Sequence, residues 1–537
     1  MKEKFARWDT LFIQYLKRDW KKIIIWIVGL GLFSGGFVPA FVEIGKGQGL
    51  IGMYETMQNP AMISMVGPTP IQSGTEYTLG AMYANEMLLF CGLFAMIMSA
   101  LHVVSHTRKE EELGLTELVR SFRVGRQANS LGVMVESILI NLLLAIFIAA
   151  IMISFGADTI TGKGSILFGA SIGMAGVIGA VLALVMAQIM PSSSGATGST
   201  LGIIGLLYIV RAGTDISNVD LSMFNPMGWV YLTYPFTNNN LVPLIFATIF
   251  FILLVIAAFV LEGGRDMGAG YLPERGGRET AKKSLLSVPG LFLKLNKGVI
   301  ISWFISFLIL GAAYGSIYGD MQSFLSGNEL MSQMFTLTGV SVEESFTATI
   351  MMVMIMLVTI LPIAIVNKLF AEEARLHLSQ IYATKVTRAK LYWTSVILAI
   401  ILGAIGIILA VVGLGGTAIS SMGDNSLMDM GDFMAVGFNF WPSVMFFTGL
   451  SALTLGWAPR LGKVNYIYLG YSFALNYFGG ILDLPEWFSK TAVQSWIKRM
   501  PIEEFDLVIF ITMTVVSIIL MVIGSVGYLR RDMVEGA

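Results

Sequence analysis

The chain has 537 residues, of which 55% are hydrophobic and 13% charged, and its mean hydropathy is +0.75. Soluble domains carry about 25% charged residues, so this composition excludes a large water-exposed domain. It predicts an all-α polytopic membrane protein embedded in a lipid bilayer. The 34 basic and 35 acidic residues leave a net charge of −1, and we expect no nucleic-acid partner.

The first segment, residues 5–20, has apolar side chains at helical spacing with basic and polar side chains between them. This pattern predicts an amphipathic helix lying along the inner leaflet. The alternative is a solvent-exposed cap on the helix bundle. The apolar members are Phe5, Trp8, Leu11, Phe12, Tyr15 and Leu16.

Twelve apolar runs follow, each long enough to cross a bilayer as a helix. A stretch rich in glycine and arginine, 263–297, separates six runs in the half 1–262 from six in the half 298–537. This stretch predicts a cytoplasmic linker with a second, less regular amphipathic segment near 285–295. The runs lie near 22–42, 81–105, 130–154, 165–190, 199–216, 241–262, 298–318, 345–370, 391–415, 434–457, 464–482 and 505–529.

Basic side chains predict the orientation, because lysine and arginine accumulate in cytoplasmic loops. With the N-terminus inside, 28 of the 34 fall in cytoplasmic segments. We therefore expect a multi-pass protein of the bacterial cell membrane with both termini in the cytoplasm. The six others, five outside and the last within a span, are Lys46, Lys163, Lys490, Lys498, Arg499 and Arg211.

The loop between the second and third runs has clustered charge and an interrupted apolar face. Its segment 110–126 begins with three carboxylates and predicts a short cytoplasmic helix that can dock into a groove of a partner protein. The alternative is a charged turn that only stops translocation. The residues expected to couple to a partner are Glu110, Glu111, Glu112, Gly125 and Arg126.

The same segment recurs 262 residues later, at 372–388, with Glu372, Glu373 and Arg388 at the matching positions. This repetition favours docking over a charged turn, because both halves present the feature. A half with six spans has even parity, so its duplicate keeps the same orientation, as in parallel repeats.

Three ionisable residues, Glu86, Glu136 and Arg211, lie within or near apolar runs. Such residues are costly in lipid, and we interpret them as candidates for the substrate pathway. Structural alternatives exist for two of them. Glu136 lies near the cytoplasmic end of its run, and Arg211 can pair with Asp215 one helical turn on.

The sequence indicates no catalytic chemistry. Segment 156–164 has the wrong glycine spacing for a P-loop and lies on the outer side. The three histidines, His102, His106 and His377, are too few and too scattered to predict a metal site, and the single cysteine, Cys91, excludes a disulfide framework. We therefore expect a transport subunit with no catalytic residue, metal or cofactor of its own.

Several motifs together resemble bacterial ABC permeases of the tetronasin-resistance family, which export polyketide antibiotics. The motifs lie at 106–126, 225–229, 265–275 and 372–388. The sequence departs from the family pattern at 263–264, where more charge is expected, and at 121–123, where a Thr-Pro pair is usual. The second departure changes the expected tilt of the first docking helix.

The resemblance implies a type V exporter fold, with elbow helices at the amphipathic segments and coupling helices at 110–126 and 372–388. It also implies that two copies of a separate ABC ATPase subunit, which bind ATP and Mg²⁺, dock beneath. The implied function is ATP-driven export of amphiphilic small molecules such as antibiotics. Two alternatives stay open: a secondary multidrug transporter driven by an ion gradient, and an ABC-coupled membrane sensor without net transport.

Overall fold

The computed structural model describes residues 2–46, 49–273, 280–320, 341–423, 426–482 and 485–533. These ranges contain α-helices and 3-10 helices but no β-strand, which confirms the predicted all-α class. The chain divides into two compact units, 1–277 and 278–537. The boundary lies within the linker predicted at 263–297, of which 274–279 falls outside the described residues.

The first unit contains thirteen α-helices in its described residues. Six are long, and the others form the connections between them. In chain order they are α1 Trp8–Gly35, α2 Val38–Ile44, α3 Gly49–Met57, α4 Pro60–Val66, α5 Leu79–His106, α6 Arg108–Glu112, α7 Leu115–Arg120, α8 Ala128–Ser154, α9 Gly162–Ile189, α10 Ser193–Ser217, α11 Val219–Ser222, α12 Gly228–Tyr231 and α13 Val242–Gly264.

The second unit contains nine α-helices in the part of it that the structure describes. They are α14 Val288–Gly315, α15 Val342–Ala374, α16 His377–Tyr382, α17 Arg388–Met422, α18 Met430–Asn439, α19 Trp441–Trp457, α20 Val464–Leu482, α21 Glu486–Ser489 and α22 Leu507–Arg530. Helices α5 and α8 correspond to α15 and α17 at the offset of 262 residues found in the sequence.

Within the described ranges, eleven helical segments are long and apolar enough to cross a membrane. They match eleven of the twelve predicted runs. The exception is α20, which has 19 residues but is made less apolar by four tyrosines and two asparagines. The tenth run is divided into α18 and α19 around Phe440, just before Pro442, whose missing N–H cannot continue the preceding helix.

The amphipathic segments do not form separate elbow helices, contrary to the sequence-based prediction. After a 3-10 turn at Lys2–Phe5, α1 runs unbroken from Trp8 to Gly35, so segment 5–20 belongs largely to the same helix as the first apolar run. No glycine or proline lies between residues 8 and 28 to bend it. The segment near 285–295 is likewise divided between a 3-10 turn, Lys283–Leu286, and the first turns of α14.

Helix α9 is the most enclosed membrane helix of the first unit. A Cβ on Gly169 would lie 2.3 Å from the carbonyl oxygen of Ala145 on α8, and a Cβ on Gly179 would lie 2.3 Å from that of Met96 on α5. Small residues therefore allow three backbones to pack closely here. By contrast, α13 exposes a row of large apolar side chains that suits contact with lipid: Ile245, Ile249, Ile252, Leu253, Ile256 and Val260.

The loop between α20 and α22 carries three basic residues on the side predicted to be outside. Two of them surround an acidic group, because the backbone N–H of Arg499 donates to Glu503 at 2.8 Å and Nζ of Lys498 lies 3.3 Å from it. These contacts lower the pKa of Glu503, so this carboxylate stays charged and offsets part of the local positive charge.

Thiol labelling tests whether α20 crosses the membrane. We expect Lys498→Cys, in a Cys91→Ala background, to react with an impermeant thiol reagent in intact cells, because twelve crossings place this exposed side chain outside. A matched control, Lys17→Cys in α1, should react only after permeabilisation. If position 498 also reacts only after permeabilisation, α20 does not cross.

Candidate coupling site

The first predicted coupling segment, 110–126, is not the single helix that the sequence predicts. Helix α6 ends at Glu112, α7 begins at Leu115, and between them Gly114 has a φ of +73°. Glycine adopts this left-handed conformation without the clash of a Cβ. We call residues 108–120 the first hairpin.

Glu111 holds the first hairpin against the end of the last membrane helix of its unit. Its two carboxylate oxygens each accept a hydrogen bond of 2.7 Å from Arg265, the residue that follows α13. Oε1 also accepts the backbone N–H of Gly268 at 2.7 Å. The side chains of Glu111 and Arg265 are only 9% and 10% exposed. A planar guanidinium bound by both carboxylate oxygens fixes orientation as well as distance.

Arg108 supports the same arrangement from the start of the hairpin. It is buried, it donates to the carbonyl oxygens of Pro191, Gly268 and Ala269 at 2.7, 3.0 and 3.2 Å, and it reaches Glu111 at 3.0 Å. The guanidinium therefore connects the hairpin to two other loops of the unit.

The carboxylates on either side of Glu111 also have partners within the chain. Glu110 lies 2.8 Å from Arg18 of α1. Glu112 accepts hydrogen bonds of 2.5 Å from both the backbone N–H and the hydroxyl of Ser193, at the start of α10. The three carboxylates thus connect the hairpin to three different membrane helices.

The last two residues of the predicted coupling segment, Gly125 and Arg126, also contact other segments of the first unit. The backbone N–H of Gly125 donates to the carbonyl oxygen of Ala6 at 2.9 Å, and a Cβ on Gly125 would lie 2.4 Å from the carbonyl oxygen of Lys4. Arg126 donates to the carbonyl oxygens of Glu262 and Arg265 at the end of α13. Both residues therefore pack against neighbouring segments of the first unit.

We call the matching residues 370–382 the second hairpin. Glu372 and Glu373 lie in the last turn of α15, and α16 follows them. Glu373 accepts hydrogen bonds of 2.5 and 2.7 Å from Arg531, the residue that follows α22. Arg388 donates to the carbonyl oxygen of Arg531 at 2.9 Å and lies over the ring of Tyr528.

Glu372 completes the second hairpin. It lies 2.6 Å from Lys368 on α15 and 2.5 Å from His377 on α16. Its side chain is 5% exposed, and that of Glu373 is 1% exposed. As in the first unit, the carboxylates point back into the unit that carries them.

Each unit therefore contains a buried pair between a glutamate and the arginine that follows the last long helix of the unit. Glu111 lies in α6, just after α5, and Glu373 lies in the last turn of α15. We call Glu111–Arg265 and Glu373–Arg531 the closing ion pairs. The sequence analysis expects these glutamates to couple to a partner; the structure shows both carboxylates paired within the chain, and the coupling stays a prediction. The signal that could have revealed the pairs is the placement of an arginine directly after each final apolar run.

The surfaces that remain exposed differ between the hairpins. The first exposes a group of large apolar side chains, Leu113, Leu115 and Leu118, which Phe122 extends just beyond the hairpin. Exposed charged residues, Lys109, Glu112 and Glu117, lie among them. The second is mostly polar, with exposed side chains at Arg375, Leu376, His377, Ser379 and Gln380. A partner that contacts both hairpins therefore meets two chemically different surfaces.

The matching positions Gly114 and Leu376 share a left-handed backbone, with φ of +73° and +63°. This conformation costs an L-residue about 1–2 kcal/mol. We expect Leu376→Gly to stabilise the purified protein by about 1 kcal/mol, seen as a higher Tm, and Gly114→Ala to lower the Tm. A lower Tm for Leu376→Gly would contradict this reading of the turn.

Of the three intramembrane candidates, Arg211 is the most completely paired. It lies 2.8 Å from Asp215 on the same helix, as the structural alternative predicts, and it also donates to the carbonyl oxygens of Ser64 and Met65. Asp215 accepts from the hydroxyl of Tyr231. This fully buried network joins α10 to the segments around α4 and α12, which favours a structural role.

Glu86 differs, because its buried Oε1 has no hydrogen-bond partner among the described residues. A buried carboxyl group with an unpaired oxygen on an apolar helix is costly to maintain. Glu86 therefore stays a candidate for the substrate pathway.

Glu136 lies against two histidines that the sequence analysis considered too scattered for a metal site. Oε2 of Glu136 is 3.1 Å from Nε2 of His102, and one ligand atom from each of His102, His106 and Glu136 lies within 4.8 Å of the others. The two histidines are one turn apart on α5, and α8 brings the glutamate to them. The spacing of four residues was the signal available in the sequence.

The helices and the paired hairpins define a multi-pass membrane protein with two similar units, as expected of a transport protein. Residues 285–529 match a family model described as the C-terminal domain of the multidrug efflux system permease Rv1217c. The chain is also 25% identical over 539 residues to the multidrug efflux system permease protein Rv1217c of Mycobacterium tuberculosis (strain ATCC 25618 / H37Rv), covering 96% of this chain and 94% of the relative.

This similarity supports a transport permease of the membrane, related to efflux permeases, rather than an enzyme. It extends over nearly the whole of both proteins, so it includes both units. The narrower resemblance to the tetronasin-resistance family stays a prediction.

Proposed function

We propose that the chain is the membrane-spanning subunit of an ATP-driven exporter that moves amphiphilic small molecules, such as antibiotics, out of a bacterial cell. The observation that carries the proposal is the repeated hairpin, one in each unit, held by a buried closing ion pair. A rigid projection at matching positions of two repeats suits the docking of two copies of one partner.

In this proposal the partner is an ABC ATPase subunit that binds ATP and Mg²⁺, and both termini and both hairpins lie in the cytoplasm. The name of the relative, a permease of an efflux system, supports the existence of a further component. The homology supports a transport role for this chain, and ATP hydrolysis is assigned to the partner.

Purification with a candidate ABC ATPase subunit from the same bacterium tests the proposal. We expect a complex with two ATPase copies per permease, ATP hydrolysis stimulated by drugs, and drug movement in vesicles that requires ATP. The permease alone should hydrolyse no ATP. Drug movement driven by an ion gradient without the ATPase would indicate a secondary transporter, and stimulated hydrolysis without drug movement would indicate a sensor.

A further inference from the structure

A buried polar cluster lies where α1, α5 and α8 meet, beside the start of the first hairpin. Its centre consists of His102 and His106 of α5 and Glu136 of α8, which are 1%, 3% and 0% exposed. The N···O distance of 3.1 Å between His102 and Glu136 is close to the separation of roughly 3.3 Å expected for two ligands of one tetrahedral Zn²⁺ ion. These three side chains offer two imidazoles and a carboxylate in one place.

A further carboxylate orients His106 from α1. Nε2 of His106 lies 2.7 Å from Asp19, and Nδ1 lies 2.9 Å from the carbonyl oxygen of His102. An outer-shell carboxylate holds the ring nitrogen that does not bind the metal. With Nε2 held by Asp19, the ligand atom of His106 would be Nδ1, which would exchange its contacts with the His102 carbonyl and with Ser105 Oγ, at 2.8 Å, for the ion. The side chain of Asp19 is 16% exposed, so the cluster has a route to solvent.

Two polar atoms at the centre have no partner among the described residues. They are Nδ1 of His102 and Oε1 of Glu136. Leaving a buried polar atom unpaired costs about 1–3 kcal/mol. A cavity of about 20 Å³ lies beside His102, lined also by Trp26, Ser137 and Asn141. The cluster therefore has unused ligand capacity and space beside it.

The internal repeat shows that the fold does not require this cluster. At the offset of 262 residues, the positions of His102, His106 and Glu136 are occupied by Ala364, Lys368 and Leu398. Helices α15 and α17 form the equivalent pair without these ligands. Because only one of the two similar helix pairs contains these polar side chains, we infer that they do more than pack the helices together.

We propose that His102, His106 and Glu136 bind a divalent transition-metal ion of the Zn²⁺ class, with Asp19 as an orienting residue. Imidazole with carboxylate suits Zn²⁺ and its neighbours, whereas Mg²⁺ prefers oxygen ligands and water. The ion would link α5 to α8 through these ligands, next to α1. This inference does not depend on the proposed function.

The test uses the full-length chain, purified without a histidine tag, stripped with a chelator and then dialysed against Zn²⁺. We expect about one Zn²⁺ per chain by elemental analysis, and a rise in Tm on adding Zn²⁺ that equal Mg²⁺ does not produce. The combined variant His102→Ala, His106→Lys and Glu136→Leu, which introduces the side chains of the second unit, should lose the ion. The control His377→Ala should keep it.

Asp19→Asn provides a second test, because this variant keeps all three proposed ligands of the ion. We expect it to weaken Zn²⁺ binding by about 10- to 100-fold while leaving one site per chain. Absence of stoichiometric Zn²⁺ from the stripped and reloaded wild type would overturn the proposal. Equal Zn²⁺ in the combined variant and the wild type would overturn it as well, because the ion would then bind elsewhere.

Discussion

Reversing the charge of Glu111 is expected to detach the first hairpin from the end of α13 and to abolish export. In Glu111→Arg, a new guanidinium faces both Arg265 and Arg108, which lie within 3.0 Å of the native carboxylate. Breaking a buried ion pair by removing one partner costs about 3–5 kcal/mol. We expect faster proteolysis within 108–120 and loss of drug resistance, with normal insertion into the membrane.

The exchanged pair, Glu111→Arg with Arg265→Glu, separates the ion pair from other effects of the substitution. We expect it to recover part of the resistance and of the protection from proteolysis, because opposite charges again face each other. Glu117→Arg is the matched control, since Glu117 is an exposed glutamate of the same hairpin. Wild-type resistance and protection in Glu111→Arg alone would show that the closing ion pair does not hold the hairpin.

The second expected effect concerns the apolar surface of the first hairpin. Replacing both Leu118 and Phe122, which are 63% and 69% exposed, by serine should remove binding of the proposed ATPase partner while leaving the fold intact. Residues that dominate an interface contribute about 2 kcal/mol or more each. At about 1.4 kcal/mol per tenfold change, loss of one such contact weakens docking by roughly 30-fold.

Binding of the ATPase to the purified permease measures this effect directly. The matched control is Phe224→Ser, because Phe224 is another highly exposed phenylalanine of the same unit, at 85% exposure, far along the chain from the hairpin. We expect the control to bind the ATPase as the wild type does. Unchanged binding by the Leu118/Phe122 variant would exclude this surface as the docking site.

The membrane helices were predictable because length and hydropathy alone determine which segments can cross a bilayer. The bounds of α5, for example, differ from the predicted run 81–105 by two residues at most. The amphipathic segment 5–20 was harder to interpret. Its pattern shows which side chains share a face, but it does not show whether the helix continues into the next apolar run.

The partners of the site residues were harder to predict, because they depend on contacts between distant segments; the arginine after each final apolar run indicates a candidate partner but not which glutamate it binds. Glu111 and Arg265 are 154 residues apart, and no local pattern connects them. His102 and Glu136 meet only because α5 and α8 pack together. The sequence therefore identified several of the relevant residues but not their partners within the chain, and the coupling of the hairpin glutamates to an external partner stays a prediction.

The closing ion pairs also have a mechanical consequence. In the first unit, Glu111 of α6, which follows α5 directly, binds Arg265 at the end of α13, so the first hairpin is tied to both long helices. A partner that displaces Leu118 or Phe122 is therefore expected to displace both helices together. Movement of this hairpin should therefore shift two membrane helices in concert, whereas a hairpin without the ion pair could move by bending its loop alone.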